Sequence, residues 1–275
     1  KAAHQKTGKR AVVLIDEYDK PLLDVLDTGF STVVDGEKRL LEDHHRNILK
    51  GFYSVFKAAD ANLQFVLLTG VTKFSQVSVF SGFNQPEDIS MSRDYEALCG
   101  ITEEELYSYF AEPIAELAED NDCSVNEMKQ MLKKQYDGYH FGKRMTDIYN
   151  PFSILNACKS CNIDDYWFRS GTPSYLIRLL NHTQENLNEL TGKYYDTSEF
   201  IDYKADVEKP LPMIFQSGYL TVKGFDREMN TYLLDFPNNE VKKGFVTMVA
   251  NDYLKVKYKA GSWARDIVGA LKTGD

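Results

Sequence analysis

Residues 12–21 read VVLIDEYDKP, an aliphatic run that ends on Asp16, Glu17 and Asp19. Residues 11–15, AVVLI, are aliphatic throughout, which predicts a strand covered on both faces, as in a parallel sheet. Downstream, Ile48, Leu49, Phe52, Tyr53, Val55 and Phe56 recur at three- and four-residue spacing between Glu42 and Ala61. That periodicity predicts an amphipathic helix. A second apolar run, Phe65 to Leu68, then stops at Thr69-Gly70. Strand, helix and strand, with polar residues at the C-terminal ends of both strands, make a βαβ unit whose ligand-binding edge is that end.

From about residue 101 the pattern changes. ITEEELYSYFAEPIAELAED offers Thr102 as a helix cap, followed by glutamates in the first turn. Helical periodicity continues through VNEMKQMLKKQY, FSILNACKSC and a segment starting at Thr172-Pro173. PLPMIFQSGYLTVKGFDREMNTYLLDFPNNEVKKGFVTMV then predicts a short helix, two strands near Tyr219–Lys223 and Tyr232–Phe236, and a last helix, an order compatible with a winged helix. The expected organisation is an α/β core over 1–100, a helical lid over 101–205, a winged-helix-like region over 206–254 and a linker over 255–275.

Composition narrows the function classes. With 275 residues, 43% of them hydrophobic, the chain has enough apolar material for a sizeable core. Thirty-two Lys and Arg face 41 Asp and Glu, a formal charge of -9, so a broad nucleic-acid-binding surface is not expected. No apolar run approaches the roughly 20 residues that span a bilayer, and KAAHQKTGKR lacks the apolar stretch of a signal peptide. A cytoplasmic location without membrane contact is the expectation. The four cysteines, Cys99, Cys123, Cys158 and Cys161, are too scattered for a disulfide framework. The chain starts at Lys1 rather than Met, so a fragment of a longer protein is expected.

The strand that delivers Asp16 and Glu17 at its end resembles a Walker B motif of P-loop ATPases, in which the aspartate holds magnesium and the next glutamate activates water. Successive side chains diverge at a strand end, so the two carboxylates can serve different partners. An acidic turn capping a core strand is the plain alternative. FVLLTGVTKF places Thr69 and Thr72 where a hydroxyl can sense a terminal phosphate; each is otherwise a turn residue. The glycine-rich loop G-x-x-x-x-G-K-[ST], which cradles phosphate, occurs nowhere in the sequence.

Together, IDEYDKPLLD, LLTGVTKFSQVSVFSGFN, LCGITEEEL, QYDGYHFG, YNPFSILN, WFRSGTPSYLI, FQSGYLTVKG and DFPNNEV resemble the bacterial AAA-ATPase-like family, often fused to a C-terminal PD-(D/E)XK-type nuclease domain. The resemblance runs over nearly the whole chain. It implies a P-loop ATPase core with helical and winged-helix-like regions, using ATP and Mg2+, with neither the family's phosphate loop nor its nuclease module in this sequence. It further implies Asp16 as the magnesium-side acid, Glu17 as the catalytic acid that activates water, and Thr69 or Thr72 as the sensor. Asp19 and Lys20 belong to the same string without an assigned role.

Other constellations favour plainer readings. Asp137 and His140 in YDGYHFG form an acid–base pair on paper, yet a turn at Gly138 between packing tyrosines explains them. Cys158-x-x-Cys161 has zinc-like spacing without a second ligand pair. His44-His45 reads as a solvated helix face. Lys242, Lys243, Lys255, Lys257 and Lys259 offer phosphate contacts for a nucleic acid, against the net charge. Homo-oligomerisation would let an arginine such as Arg93 or Arg169 complete a neighbour's site. The alternatives to an ATPase are a magnesium-dependent nuclease using Asp16, Glu17 and Asp19, and a nucleotide-controlled module that binds DNA or protein.

Overall fold

A computed structural model describes residues 1–73, 86–169, 174–183, 190–201 and 210–250. The elements run α1 (Ala2–Thr7), β1 (Ala11–Ile15), α2 (Lys20–Leu23), β2 (Ser31–Val34), β3 (Glu37–Leu40), α3 (Leu41–Ala59) and β4 (Leu63–Leu68). β5 (Ile101–Thr102), α4 (Glu103–Tyr109), α5 (Ala111–Asp120), α6 (Val125–Tyr136), β6 (Ile148–Tyr149), α7 (Pro151–Ser160), α8 (Tyr166–Arg169) and α9 (Ser174–Thr183) follow. The last are β7 (Lys193–Tyr195), α10 (Thr197–Phe200), α11 (Leu211–Gln216), β8 (Thr221–Asp226), β9 (Thr231–Asp235) and α12 (Asn239–Met248). The chain divides into two compact units, Lys1–Asp88 with Thr197–Ser217, and Ile89–Asp196 with the chain from Gly218. The Thr172-Pro173 helix start, the expected linker 255–275 and Lys255, Lys257 and Lys259 lie outside the described residues. No helix among the described residues is long and apolar enough to cross a membrane.

In the first unit β1 and β4 pair in parallel, Ile15 opposite Leu68, with α3 as the crossover between them. The expected βαβ unit is therefore present. α3 buries Tyr53 and Phe56, while α2 buries Leu22 and Leu23. The expectation that β1 is covered on both faces is corrected. Its burial alternates, with Val12 57% and Leu14 68% exposed, because β1 pairs only with β4 among the described residues. Phe65 on β4 and Ile48, Phe52 and Val55 on α3 are also more than half exposed.

An antiparallel hairpin, β2–β3, precedes α3 and was not expected from the sequence. Its turn residues Asp35 and Gly36 both have positive φ, 52° and 82°, as a two-residue type I′ turn requires. At the other end of the unit, the Lys73 amide donates to Gln216 Oε1 at 2.7 Å, and Gln216 Nε2 donates to the Ile201 carbonyl at 2.7 Å. These bonds tie the segment after β4 to α10 and α11.

The second unit is built on a helical cluster in which Leu106, Ile114, Leu117, Met128, Leu132 and Tyr149 are buried. Two capping boxes start its helices, Thr102 with Glu105 on α4 and Ser124 with Glu127 on α6. β7, β9 and β8 form a three-stranded antiparallel sheet, and α12 follows with Asn238 as its cap. Glu240 is fully buried but accepts from Ser153 Oγ at 2.7 Å and from the Trp167 amide at 2.7 Å, linking α12 to α7 and α8. Two donors offset part of the penalty of burying that acid, and burial still pushes its carboxyl up.

Candidate functional site

The site is set by strand register. With Ile15 opposite Leu68, the next residues on each strand, Asp16 and Thr69, emerge together at the C-terminal edge. The pairing runs one step past the strands: the Thr69 amide donates to the Ile15 carbonyl at 2.8 Å and the Tyr18 amide to the Thr69 carbonyl at 2.9 Å. The Thr69 hydroxyl donates to Asp16 Oδ1, which also accepts from the Glu17 amide at 3.0 Å. Asp16, Glu17 and Thr69 are all exposed. Glu17 sits at φ 52°, a left-handed conformation that costs a residue with a Cβ about 1 kcal/mol. Strain of this kind is tolerated where the surroundings hold the turn in place.

What holds it is Asp19, which is fully buried. Its carboxylate accepts from the Val71 amide at 3.3 Å, the Thr72 amide at 2.5 Å and the Thr72 hydroxyl at 2.8 Å. Tyr18 adds a bond from its hydroxyl to the Thr72 carbonyl at 2.6 Å. The loops leaving β1 and β4 are thus stapled to each other beneath the exposed edge. Burial, then the nearby Asp19 charge, pushes the Tyr53 phenol up. Lys20 pairs with Asp24 at 2.8 Å.

Gly70 lies inside the staple. A Cβ there would stand 2.6 Å from Asp19 Oδ1 and 2.6 Å from the Tyr18 ring. Gly70→Ala is therefore expected to lower unfolding stability by about 1–3 kcal/mol, the usual range for overpacking. Urea unfolding measures it, and an unchanged midpoint would show that the staple yields freely.

Of the sequence candidates, Asp16, Glu17 and Thr69 come together on the rim. Thr72 does not: it is 2% exposed and its hydroxyl is given to Asp19. The role of Asp19 was missed by sequence reasoning, although a signal exists. Asp16 and Asp19 share the three-residue spacing of Thr69 and Thr72, so one pair forms the rim and the other the support below it.

The remaining candidates fall elsewhere. His45 Nδ1 bonds the Pro21 carbonyl at 2.7 Å, and the His44 and His45 ring centroids are 6.2 Å apart. Cys158 and Cys161 are free, and Cys161 closes α7 in a left-handed conformation. His140 bonds Asp147 at 2.7 Å and the Val222 carbonyl at 2.6 Å rather than Asp137. Arg169 pairs with Asp164, and Lys243 with Asp165. Among the described residues no three His, Cys, Asp or Glu side chains are grouped to hold a metal. A hard cation at Asp16 would therefore take its other ligands from phosphate and water, the usual habit of magnesium. The carboxylate and hydroxyl oxygens on the rim fit such an ion.

Over 258 residues the chain is 33% identical to an uncharacterized protein in the vnfD 5' region of Azotobacter chroococcum mcd 1, covering 93% of this chain and 45% of that protein. The chain thus spans less than half the length of that relative. No solved structure gives a significant match. Residues 1–80, which carry Asp16, Glu17 and Thr69, match the model of a family described as AAA-ATPase-like, predicted AAA-ATPase, and this match supports an AAA-ATPase-like affiliation for that segment.

Proposed function

We propose that the first unit is the Walker B and sensor part of a P-loop ATPase core that binds and hydrolyses ATP with Mg2+. The observation that carries this reading is the bond between Thr69 and Asp16 at the C-terminal edge of the parallel β1–β4 pair. Open α/β sheets place their ligands at that edge. In this reading Asp16 holds the magnesium ion, which supplies charge neutralisation at the phosphates. Thr69 fixes the orientation of Asp16 by donating to one oxygen and leaving the other open. Glu17, whose carboxylate accepts no hydrogen bond among the described residues, takes the proton of the attacking water. Thr72 supports the rim from below and does not touch nucleotide.

The phosphate-binding loop has to come from elsewhere. The exposed apolar positions on β1, β4 and α3 have the right chemistry to receive a further strand and helix carrying it. Micromolar affinity for a nucleotide requires about 8 kcal/mol. Two carboxylates and a hydroxyl do not supply that without amides around the phosphates. Calorimetry of residues 1–275 with MgATP is expected to show no micromolar binding at Asp16, read as binding that requires magnesium and is lost in Asp16→Ala. Binding there would mean that the recognition of phosphate is already complete and the reading of this rim is wrong.

No observation favours the nuclease alternative. Asp19, the third carboxylate it needs, is buried under three donors and faces away from solvent.

A further inference from the structure

The second unit contains a cavity of about 480 Å³, within the range of small-molecule sites, that involves no residue of the proposed ATPase rim. It is formed where the turn after α6 meets the β9–α12 junction, and Asp137, Lys134, Lys223, Asn239 and Lys242 are among its lining residues. Asp137 is only 2% exposed, and neither of its carboxylate oxygens accepts a hydrogen bond among the described residues. Lys133 Nζ stands 3.7 Å from one of them but is already held by Glu103 at 3.1 Å and Asp147 at 3.3 Å. A buried carboxylate without a donor is costly, and it marks a place where a ligand N–H or O–H would be welcome. Burial pushes the Asp137 carboxyl up, against the lowering pull of the Gly138 amide and Lys133, as expected for a group lacking a full set of donors.

The rim of the same cavity carries four lysines, Lys133, Lys134, Lys223 and Lys242, beside the carboxylates of Asp147, which Lys133 holds at 3.3 Å, and Asp235. Lys134 and Lys242 are exposed there. Lys223 Nζ donates to the Gly138 carbonyl at 2.7 Å and the Pro237 carbonyl at 3.0 Å, which leaves one of its three N–H groups to spare. The ten-residue α12 begins at Asn239, so the N–H groups of its first turn add a favourable field for an anion. Asn238 Nδ2 donates to the Asp137 carbonyl at 3.0 Å and holds the two halves of the site together. Surplus lysine charge at the rim above a buried carboxylate that accepts no well-formed hydrogen bond suits a phosphate joined to a group rich in N–H donors.

We propose that this cavity binds a nucleotide unit, its phosphate against Lys134, Lys242 and the start of α12, and the N–H groups of its base on Asp137. The unit can be a free nucleotide or part of a single strand. The whole chain is titrated, in EDTA to remove any magnesium-dependent binding at Asp16, with GMP by calorimetry and with a fluorescein-labelled mixed-sequence 12-mer of single-stranded DNA by anisotropy. Saturable binding of either probe is expected; tighter binding of GMP identifies the free nucleotide, and tighter binding of the 12-mer identifies the strand. The double variant Lys134→Ala/Lys242→Ala, at two exposed positions, is expected to weaken binding by about tenfold and to flatten its salt dependence. Lys243→Ala, whose ammonium is paired with Asp165, is expected to change little. Asp137→Asn is expected to weaken binding without lowering the melting temperature, since it removes a buried charge. No binding of either probe would overturn the proposal. So would equal binding by the lysine variant, or inorganic phosphate binding as well as GMP with Asp137→Asn indifferent. Asp16→Ala leaves this cavity untouched, so EDTA-resistant binding kept in that variant and lost in the lysine variant assigns the binding to the cavity and not to the rim of the first unit.

Discussion

Asp19→Ala is expected to destabilise the first unit by about 3–5 kcal/mol, more than any other single change on the rim. The magnitude follows from what is left behind. The Val71 amide, the Thr72 amide and the Thr72 hydroxyl lose their shared acceptor at a position that water does not reach. Each buried donor left unsatisfied costs about 1–3 kcal/mol, and relaxation of the two loops keeps the total below the simple sum. Asp19→Asn keeps one carbonyl oxygen and is expected to lose about half as much. Thr72→Val, which removes one hydroxyl while the amide bond remains, should lose about 1 kcal/mol. Urea unfolding gives the three values, and amide exchange at Thr72 reports whether the staple itself has opened. If Asp19→Ala stays within 1 kcal/mol of the parent protein, the rim is held by something other than this carboxylate.

Much of this arrangement is legible in the sequence, and the rest is hidden for identifiable reasons. AVVLI, the three-and-four spacing across α3 and the run ending at Leu68 are local patterns, and each forms the element it predicts. Thr102 caps α4 for an equally local reason. The β2–β3 hairpin escaped because its second strand, EKRL, is charged and wholly exposed, so it carries no alternation of burial. The Asp35-Gly36 turn was its one readable signal. A continuous apolar strand reports that both faces favour burial; it does not report whether anything covers them, which is why Val12 and Leu14 differ from expectation. The choice between Thr69 and Thr72 depends on the β1–β4 register and on where Asp19 lies, 52 or 53 residues away along the chain from the amides it binds. Lys73 and Gln216 are separated by 143 residues, and no periodicity connects them. Non-local pairing of this kind enters only when the chain folds.

The other large effect concerns chemistry rather than stability. In a form of the protein that carries a phosphate loop, Glu17→Gln is expected to slow ATP hydrolysis by about 100- to 10,000-fold while leaving nucleotide affinity nearly unchanged. The amide keeps the size and exposure of the side chain, so the left-handed turn at residue 17 and the staple below it are undisturbed. What it removes is the capacity to take a proton. Thr69→Val separates the second contribution: Asp16 loses the hydroxyl that orients it, and turnover should fall by about tenfold through a less well positioned carboxylate. The two losses should combine additively in free energy if Glu17 and Thr69 act on different partners, and less than additively if both serve one water molecule. Single-turnover kinetics with binding measured separately distinguishes these cases. Turnover unchanged in Glu17→Gln would remove this glutamate from the reaction and leave the exposed acidic pair as a turn after a core strand. Because the αL conformation at Glu17 would be easier for glycine, a Glu17→Gly variant sharpens the contrast: it should stabilise the loop slightly while losing activity as fully as glutamine does. A residue kept in an unfavourable conformation, where its removal improves the fold and abolishes the reaction, is present for its carboxylate and not for the turn.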